Sequence, residues 1–574
     1  MTIQTARVLA LLLAWFVAAA PAAGANRDQL VIGTTQFPST LHPSIDSMLA
    51  KSFVLGFTER PLTTYDANWR LICLLCTELP TIENGKAVIE DLPAEVVADA
   101  AERHVCKTAD PSLAHKGIAV TYSIQPNASW GDGTPVTAAD VLFTYEVGKN
   151  EKSGISNSEL YRRILKVDMV DDKTFTMHFD RVDFAYNAIN DFRLLPAHLE
   201  RAAFAEPSEY ANRTLYNTDP TNAGLWFGPY KITSIEPGGQ IVLDANPSWW
   251  GEPPRIKRIV IKTIENTSAL EANLLSGAID YIAGEVGLTL DQALDFERRH
   301  GGDYNISYKP VLFYEHLTPN HDNPALGDKR VRQALLLALD RRLLTEKLFA
   351  GKQQVANTSI NPLDWIYTDN VKKYPYDPAN AAALLDQAGW ILGGDNLRRN
   401  AAGEPLMIEL NSTAGDRTRE LVEQVLQSQW RAIGVDVRIK NEPARVLFGQ
   451  TINQRRFTGM ALFAWLSSPE NVPRTSLHSS MVPTADNGWA GQNYANFRNQ
   501  ELDDLMDCIE IELDRGKRLK MWHRLQEIYA EELPDLPLYF RSQAFILPKW
   551  LTGITPTGNQ SQTSLWSETW RIGE

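Results

Sequence analysis

Trp130-Gly131-Asp132-Gly133-Thr134-Pro135-Val136-Thr137-Ala138-Ala139-Asp140-Val141 is the stretch on which the reading of this chain turns. Its first six residues hold two glycines and a proline, the composition of a tight turn. Thr137, followed three residues later by Asp140, is a capping pair and predicts a helix starting at Ala138. Just upstream, residues 120–124 alternate apolar and polar side chains as a strand does. The stretch therefore reads as strand, turn, helix. Asp132, Pro135 and Asp140 are assigned to folding and turn chemistry.

Working outward, residues 29–34 read as a first strand, with Leu30 and Ile32 on one face. Residues 81–116 are irregular and rich in proline, alanine and acids, and read as an inserted surface element. Residues 256–264 alternate again. Residues 328–341 are helical, with Val331, Ala334, Leu335 and Ala338 on one stripe. Asp377-Pro378 starts another helix. Residues 416–433 form a long one, striped by Val422, Leu426, Trp430 and Ile433 and ended by Gly434. Residues 435–439 return to alternation. No repeat or low-complexity tract interrupts this order, which specifies a multi-lobed α/β protein.

The chain has 574 residues, enough for two or three lobes. Its net charge of −14 argues against a phosphate backbone or an anionic lipid surface as partner. Arg7, the apolar run 8–20, Pro21 and the small residues Ala23-Gly24-Ala25 form a secretory signal, residues 1–25. The run is shorter than the roughly 17–25 residues of a membrane span. No cysteine stands at the cleavage point, so a lipid anchor is not expected. A periplasmic location is.

Four cysteines are too few for a disulfide scaffold. Cys73-x2-Cys76 with His104-x-Cys106 leaves three readings: a disulfide from Cys106 to Cys73 or Cys76, buried thiols, or a zinc set. An oxidising compartment favours the disulfide. Cys508, among Leu502, Leu505, Met506 and Ile509, reads as a small core residue on a helix. No nucleotide cradle, nucleophile elbow or H-E-x-x-H motif occurs, so neither an enzyme nor a cofactor is expected. His316 and His321 read as loop residues. Of the fifteen tryptophans, two to four are expected to line a ligand cavity.

The opening stretch resembles the signature of the family-5 extracellular solute-binding proteins. Other blocks follow in that family's order. Gly228-Pro229-Tyr230 and Asn246-Pro247-Ser248-Trp249-Trp250-Gly251 are similar to its GPY and NP-x-YW-G segments. Leu274 to Asp280 is similar to L-x-x-G-x-ID. Arg330 to Ala334 with Asp340-Arg341 resembles VRQA…DR, Tyr376 to Trp390 resembles YDP…AGW, and Pro534 to Tyr539 resembles P-x-x-P-L-Y. The resemblance implies a periplasmic clamshell of two mixed α/β lobes plus an extra domain. One lobe would be 27–66, 227–310 and 535–574, the extra domain 67–226, and the other lobe 311–534. It implies a monomeric substrate-binding subunit of an ABC importer, serving membrane permease subunits and a separate ATPase, with a peptide as ligand. The alternatives are an oligosaccharide or opine-type ligand, or a secreted hydrolase on the same fold.

Peptide binders of this family carry a carboxylate for the ligand's α-amino group in a motif like W-x-x-D-Y. Here Trp465 matches, but Ser468 stands where the acid is expected, with Glu470 two residues on. The candidate ligand contacts are Trp465, Leu466, Ser467 and Ser468. Ser44, Ile45, Asp46 and Ser47 form a second group, after Leu41-His42-Pro43. Arg474 is a candidate partner for a ligand carboxylate and Trp489 a candidate stacking surface.

Overall fold

The computed structural model describes residues 28–573, apart from 46–47, 95, 97–105, 107–112, 114, 157, 444–445, 487–488 and 490. The expected signal at 1–25 lies outside the described residues, as do Asp46 and Ser47.

One mixed sheet of eleven strands runs through most of the molecule. At one end lie Asp436–Glu442, Met407–Thr413 and Met460–Leu466; at the other lie Gln29–Thr34, Arg258–Thr263, Gln240–Ala245 and Tyr230–Glu236. Two long antiparallel strands in the middle, Tyr304–Pro319 and Leu536–Pro548, join the two halves. Residues 304–310 pair with 542–548, beside Tyr281–Ile282. Residues 314–317 pair with 536–540, and on the other edge residues 313–319 pair with Met460–Leu466. Between them the register slips from Pro310 to Tyr314. Proline has no N–H to give the ladder, and a slip of register lets a strand bend. The bend therefore sits where the sheet passes from one half to the other.

Each half has its own core. Leu30, Phe53, Ile259 and Trp570 belong to one, and Leu335, Leu410, Leu426 and Trp430 to the other. A separate antiparallel sheet of four strands, in the order Ala87–Asp91, Lys116–Ser123, Thr174–Phe179, Ile164–Met169, is built on a third core around Trp130 and Phe175.

The turn at Trp130 belongs to this third core. The helix spans Ala138–Lys149, and the Asp140 carboxylate accepts the Thr137 N–H at 2.9 Å. It also accepts the Trp130 Nε1–H at 3.2 Å and the Ala197 N–H at 2.9 Å, so one buried acid ties turn, helix and a distant loop. A Cβ at Gly131 would lie 2.5 Å from the Ala223 carbonyl oxygen, and Gly133 has a φ of +91°. Both positions exclude ordinary side chains. Other blocks also interlock. Asn246 Nδ2 donates to the Gly228 carbonyl at 3.0 Å. Arg332 donates to the Leu533 carbonyl at 2.9 Å, and Arg341 to the Pro537 carbonyl at 2.9 Å. These residues hold the fold together.

The cysteine pairing differs from expectation. Cys73 bonds Cys76, and Cys106 bonds Cys508 across 402 residues. The local pair closes the short turn after the strand Leu71–Cys73, so neither partner is left for Cys106. Cys508 is on the helix Gln500–Ile511 as read, but its thiol is committed to the long-range bond. Bonded sulfurs are not thiolates, so the zinc reading falls too.

Candidate ligand-binding cleft

The strand Met460–Leu466 delivers the first candidates. Its pairing sets Trp465 opposite Tyr314 and Leu466 opposite Phe313. The Ser467 N–H then donates to the Leu312 carbonyl at 3.0 Å, and the chain leaves the sheet beside the bend. Leu466 is 55% exposed although apolar, which is unusual for a strand end packed on a core. Trp465 is half-buried in a ladder of near-parallel rings, with Tyr494 6.0 Å on one side, His316 6.4 Å on the other and Tyr314 beyond at 5.0 Å. His316 is therefore not a loop residue. It is fully buried inside the strand Tyr304–Pro319, and burial lowers its pKa. Trp465, Leu466 and Ser467 line a cavity of about 90 Å³ that ends on the buried Asp535.

Glu470 does not stand free to take an amine. Its Oε1 accepts Arg518 Nε–H at 2.6 Å and its Oε2 accepts Trp365 Nε1–H at 2.9 Å. Its backbone, at φ +53°, turns the N–H onto the Asp364 carboxylate at 2.7 Å. Asp364 is the acid that stands beside Ser468: both line one small cavity with Ser467 and Asn471. Among the described residues Asp364 makes no ion pair. Burial first, and the Glu470 charge as well, push it up to about 6 despite its backbone hydrogen bonds. Its place in Asn361-Pro362-Leu363-Asp364-Trp365, an acid beside an aromatic in a proline turn, was the available signal. The sequence reading missed it because residue 364 is a hundred positions away.

The loop 468–472 also faces the small-sheet domain. A cavity of about 290 Å³ lies between Ser468, Glu470 and Asn471 on one side and Asp183, Phe184 and Asp191 on the other, with Tyr65 at its floor. Burial pushes the Tyr65 hydroxyl well up, and Glu470, Asp364, Asp191 and Asp183 add to this. Asp183 is paired with Arg163 at 2.9 Å and Glu470 with Arg518. Four acids line the chamber, Asp183, Asp191, Glu470 and Glu510, and Glu510 is paired with Arg474 at 2.7 Å. A larger cavity of about 360 Å³ lies near the bend, between Thr35 and Glu285 on one half and Phe313, Asp416 and Arg541 on the other. Here the fully buried Glu315 accepts Arg419 and Arg541 Nε–H, each at 2.7 Å. Burial works against the Glu315 charge, but the two guanidiniums hold its pKa below the ordinary value.

The other candidates serve elsewhere. The Ser44 and Ile45 N–H groups both donate to the Nδ1 of His42, at 3.1 Å, and the Ser44 carbonyl accepts from Ser156. They form a half-buried turn between the first half and the small-sheet domain. Arg474 is already neutralised by Asp507 and by Glu510, at 2.7 Å from its Nε. Its charge is taken because the helix Gln500–Ile511 brings both acids to it. Trp489, at φ +64°, is not among the side chains lining the cavities above. Trp130, Trp226, Trp430, Trp522 and Trp570 are fully buried, so these five serve packing. No group of three or more His, Cys, Asp or Glu is placed to hold a metal ion among the described residues.

A family model described as bacterial extracellular solute-binding proteins, family 5 Middle, matches residues 96–485. The chain belongs to this family. Oligopeptide-binding protein AppA of Bacillus subtilis is 26% identical over 444 residues, covering 76% of this chain and 78% of its own. The nickel-binding periplasmic protein of Escherichia coli is 28% identical over 427 residues, 74% and 79% of the two chains. The crystal structure of an oligopeptide-binding protein from Thermus thermophilus with a pentapeptide superimposes with a TM-score of 0.69 at 29% identity, covering 95% of this chain and 96% of that one. The family's members are binding proteins, and the fold is the mixed α/β clamshell. No helix among the described residues is long and apolar enough to cross a membrane.

Proposed function

We propose that this protein is the periplasmic substrate-binding subunit of an ABC importer and that it captures peptides by their ammonium end. The observation that carries this is the acidic chamber shared by the loop 468–472 and the segment 183–191, with the partly protonated Asp364 behind Ser468. An ammonium brought to these acids gains charge-assisted hydrogen bonds and restores the charge on Asp364. The peptide's backbone would extend past Trp465, Leu466, Ser467 and Ser468. The cleft walls are 27–66, 227–310 and 535–574, with the domain 67–226, facing 311–534; the strand Leu536–Pro548 is shared by both.

A ligand that touches both walls only when they meet favours the closed form by its binding energy. Permease subunits then distinguish closed from open, and a separate ATPase supplies the energy, the binding subunit acting as a monomer. The test is mass spectrometry of ligand released by denaturing protein taken from its own periplasm, followed by calorimetry with trialanine and N-acetyl-trialanine. Released peptides, and a loss of affinity of about a hundredfold on acetylation, are expected for one lost charge-assisted contact left unpaired. Equal affinity for the two peptides would refute amine capture. Sugars in the released fraction would refute the peptide assignment.

A further inference from the structure

The Cys106–Cys508 bond joins the small-sheet domain to the half that carries the helix Gln500–Ile511. Cys508 is on the helix Gln500–Ile511, whose Leu502, Met506 and Ile509 are fixed in a core with Trp522. Cys106 belongs to the 24 residues between the paired strands Ala87–Asp91 and Lys116–Ser123 of the small-sheet domain. The base of that excursion is pinned where the Leu92 N–H donates to the His115 carbonyl at 3.3 Å. The same helix also receives the small-sheet domain without covalent help. The Phe184 N–H donates to the Glu510 carbonyl at 2.9 Å, and the Phe184 ring lies at 4.6 Å under Arg518 of the next helix, Arg515–Glu532. The disulfide and the two contacts of Phe184 thus converge on one side of the acidic chamber, which Phe184 and Glu510 line.

We infer that the Cys106–Cys508 disulfide is a covalent tether across the mouth of the cleft, and that its reduction frees the lobes to separate. The tether turns the Phe184 contact into an event at high effective concentration, so the closed form re-forms readily after each opening. Only nine residues lie between Cys106 and Lys116. The chain therefore reaches about 35 Å at most from the strand end, which caps the opening. Reduction takes two electrons and two protons from a dithiol. One thiolate of the reductant attacks a cysteine sulfur, the Sγ–Sγ bond breaks, and a mixed disulfide forms. The second thiol of the reductant then closes onto its own sulfur, leaving two cysteine thiols. Both cysteines are at most 5% exposed in the structure, so reduction is faster once an opening uncovers them.

This inference rests on the cleft being the site of closure, and its test uses no ligand, so it stands or fails apart from the peptide assignment. Ligand-stripped wild type, Cys106→Ser and Cys508→Ala are compared by small-angle scattering and by amide hydrogen exchange over 183–191. Both variants are expected to show a larger radius of gyration and exchange at least about tenfold faster in that segment. A Cys73→Ser/Cys76→Ser control, which cuts only the local pair, is expected to match wild type. If either variant fails to fold, dithiothreitol reduction and capping of folded wild type gives the same comparison. Identical scattering and exchange with and without the bond overturn the tether. So does alkylation mapping that finds Cys106 and Cys508 as free thiols in the oxidised protein.

Discussion

Replacing Asp364 by asparagine keeps the shape of the side chain and an oxygen for the Glu470 N–H but removes the charge. Burial, more than any neighbour, raises Asp364 from 3.8 to about 6. Between those two values the folded chain holds a proton that the unfolded chain has lost. Stability therefore falls as pH rises through that window, and the whole cost is present above about pH 6. At about 1.36 kcal/mol per pH unit the cost is about 3 kcal/mol. For a 574-residue chain that unfolds as one unit, this corresponds to a shift in melting temperature of about 2 °C. Ligand-stripped Asp364→Asn is expected to melt about 2 °C above wild type at pH 8. At pH 4.5 the gap shrinks to about a third, because wild-type Asp364 is then mostly protonated in the folded chain. The same variant binds trialanine more weakly than wild type at pH 8. Scanning calorimetry at the two pH values checks the first expectation and titration calorimetry the second. A melting gap that does not change with pH, or a wild type more stable at pH 8, refutes the account of Asp364 as a buried acid awaiting a cation.

Three further outcomes follow from named contacts. Arg518→Met strips Glu470 of its cation in a site where both side chains are largely buried, and urea unfolding is expected to show a loss of about 3 kcal/mol. Glu315→Gln leaves Arg419 and Arg541 facing each other without an acid; a loss of about 3–5 kcal/mol is expected in the same assay, and recovery in Glu315→Gln/Arg419→Met would confirm the cause. Asp140→Ala removes the acceptor of three hydrogen bonds, from Thr137, Trp130 and Ala197. It is expected to cost about 2–4 kcal/mol, with exposure of Trp130 visible as a red shift of fluorescence.

Local chemistry was legible in the sequence. The turn at Trp130, the capping pair Thr137 and Asp140, and the helix Arg417–Ala432 stopped before Gly434 are set by residues within a few positions of one another, so they could be read directly. The interspersed strands and the order of the motif blocks also identified the architecture. Of the candidate contacts, Trp465 to Ser468 are contiguous, and one strand end carries them. The rest depends on which distant segments meet. Asp364 reaches Ser468, and Asp183 and Asp191 reach Glu470, only because the bent sheet folds two halves and a third domain onto one another. Arg474 was read as available until the helix Gln500–Ile511 brought Asp507 and Glu510 to it. His316 reads as a loop residue in the sequence, but the strand carrying it lies between Met460–Leu466 and Leu536–Pro548. Cys106 was given a neighbour in sequence, yet its partner is 402 residues away. Secondary structure and caps are local free energies, decided over a few residues. Charge pairing, burial and disulfide connectivity are set by which groups share space, and that is decided only when the chain is folded.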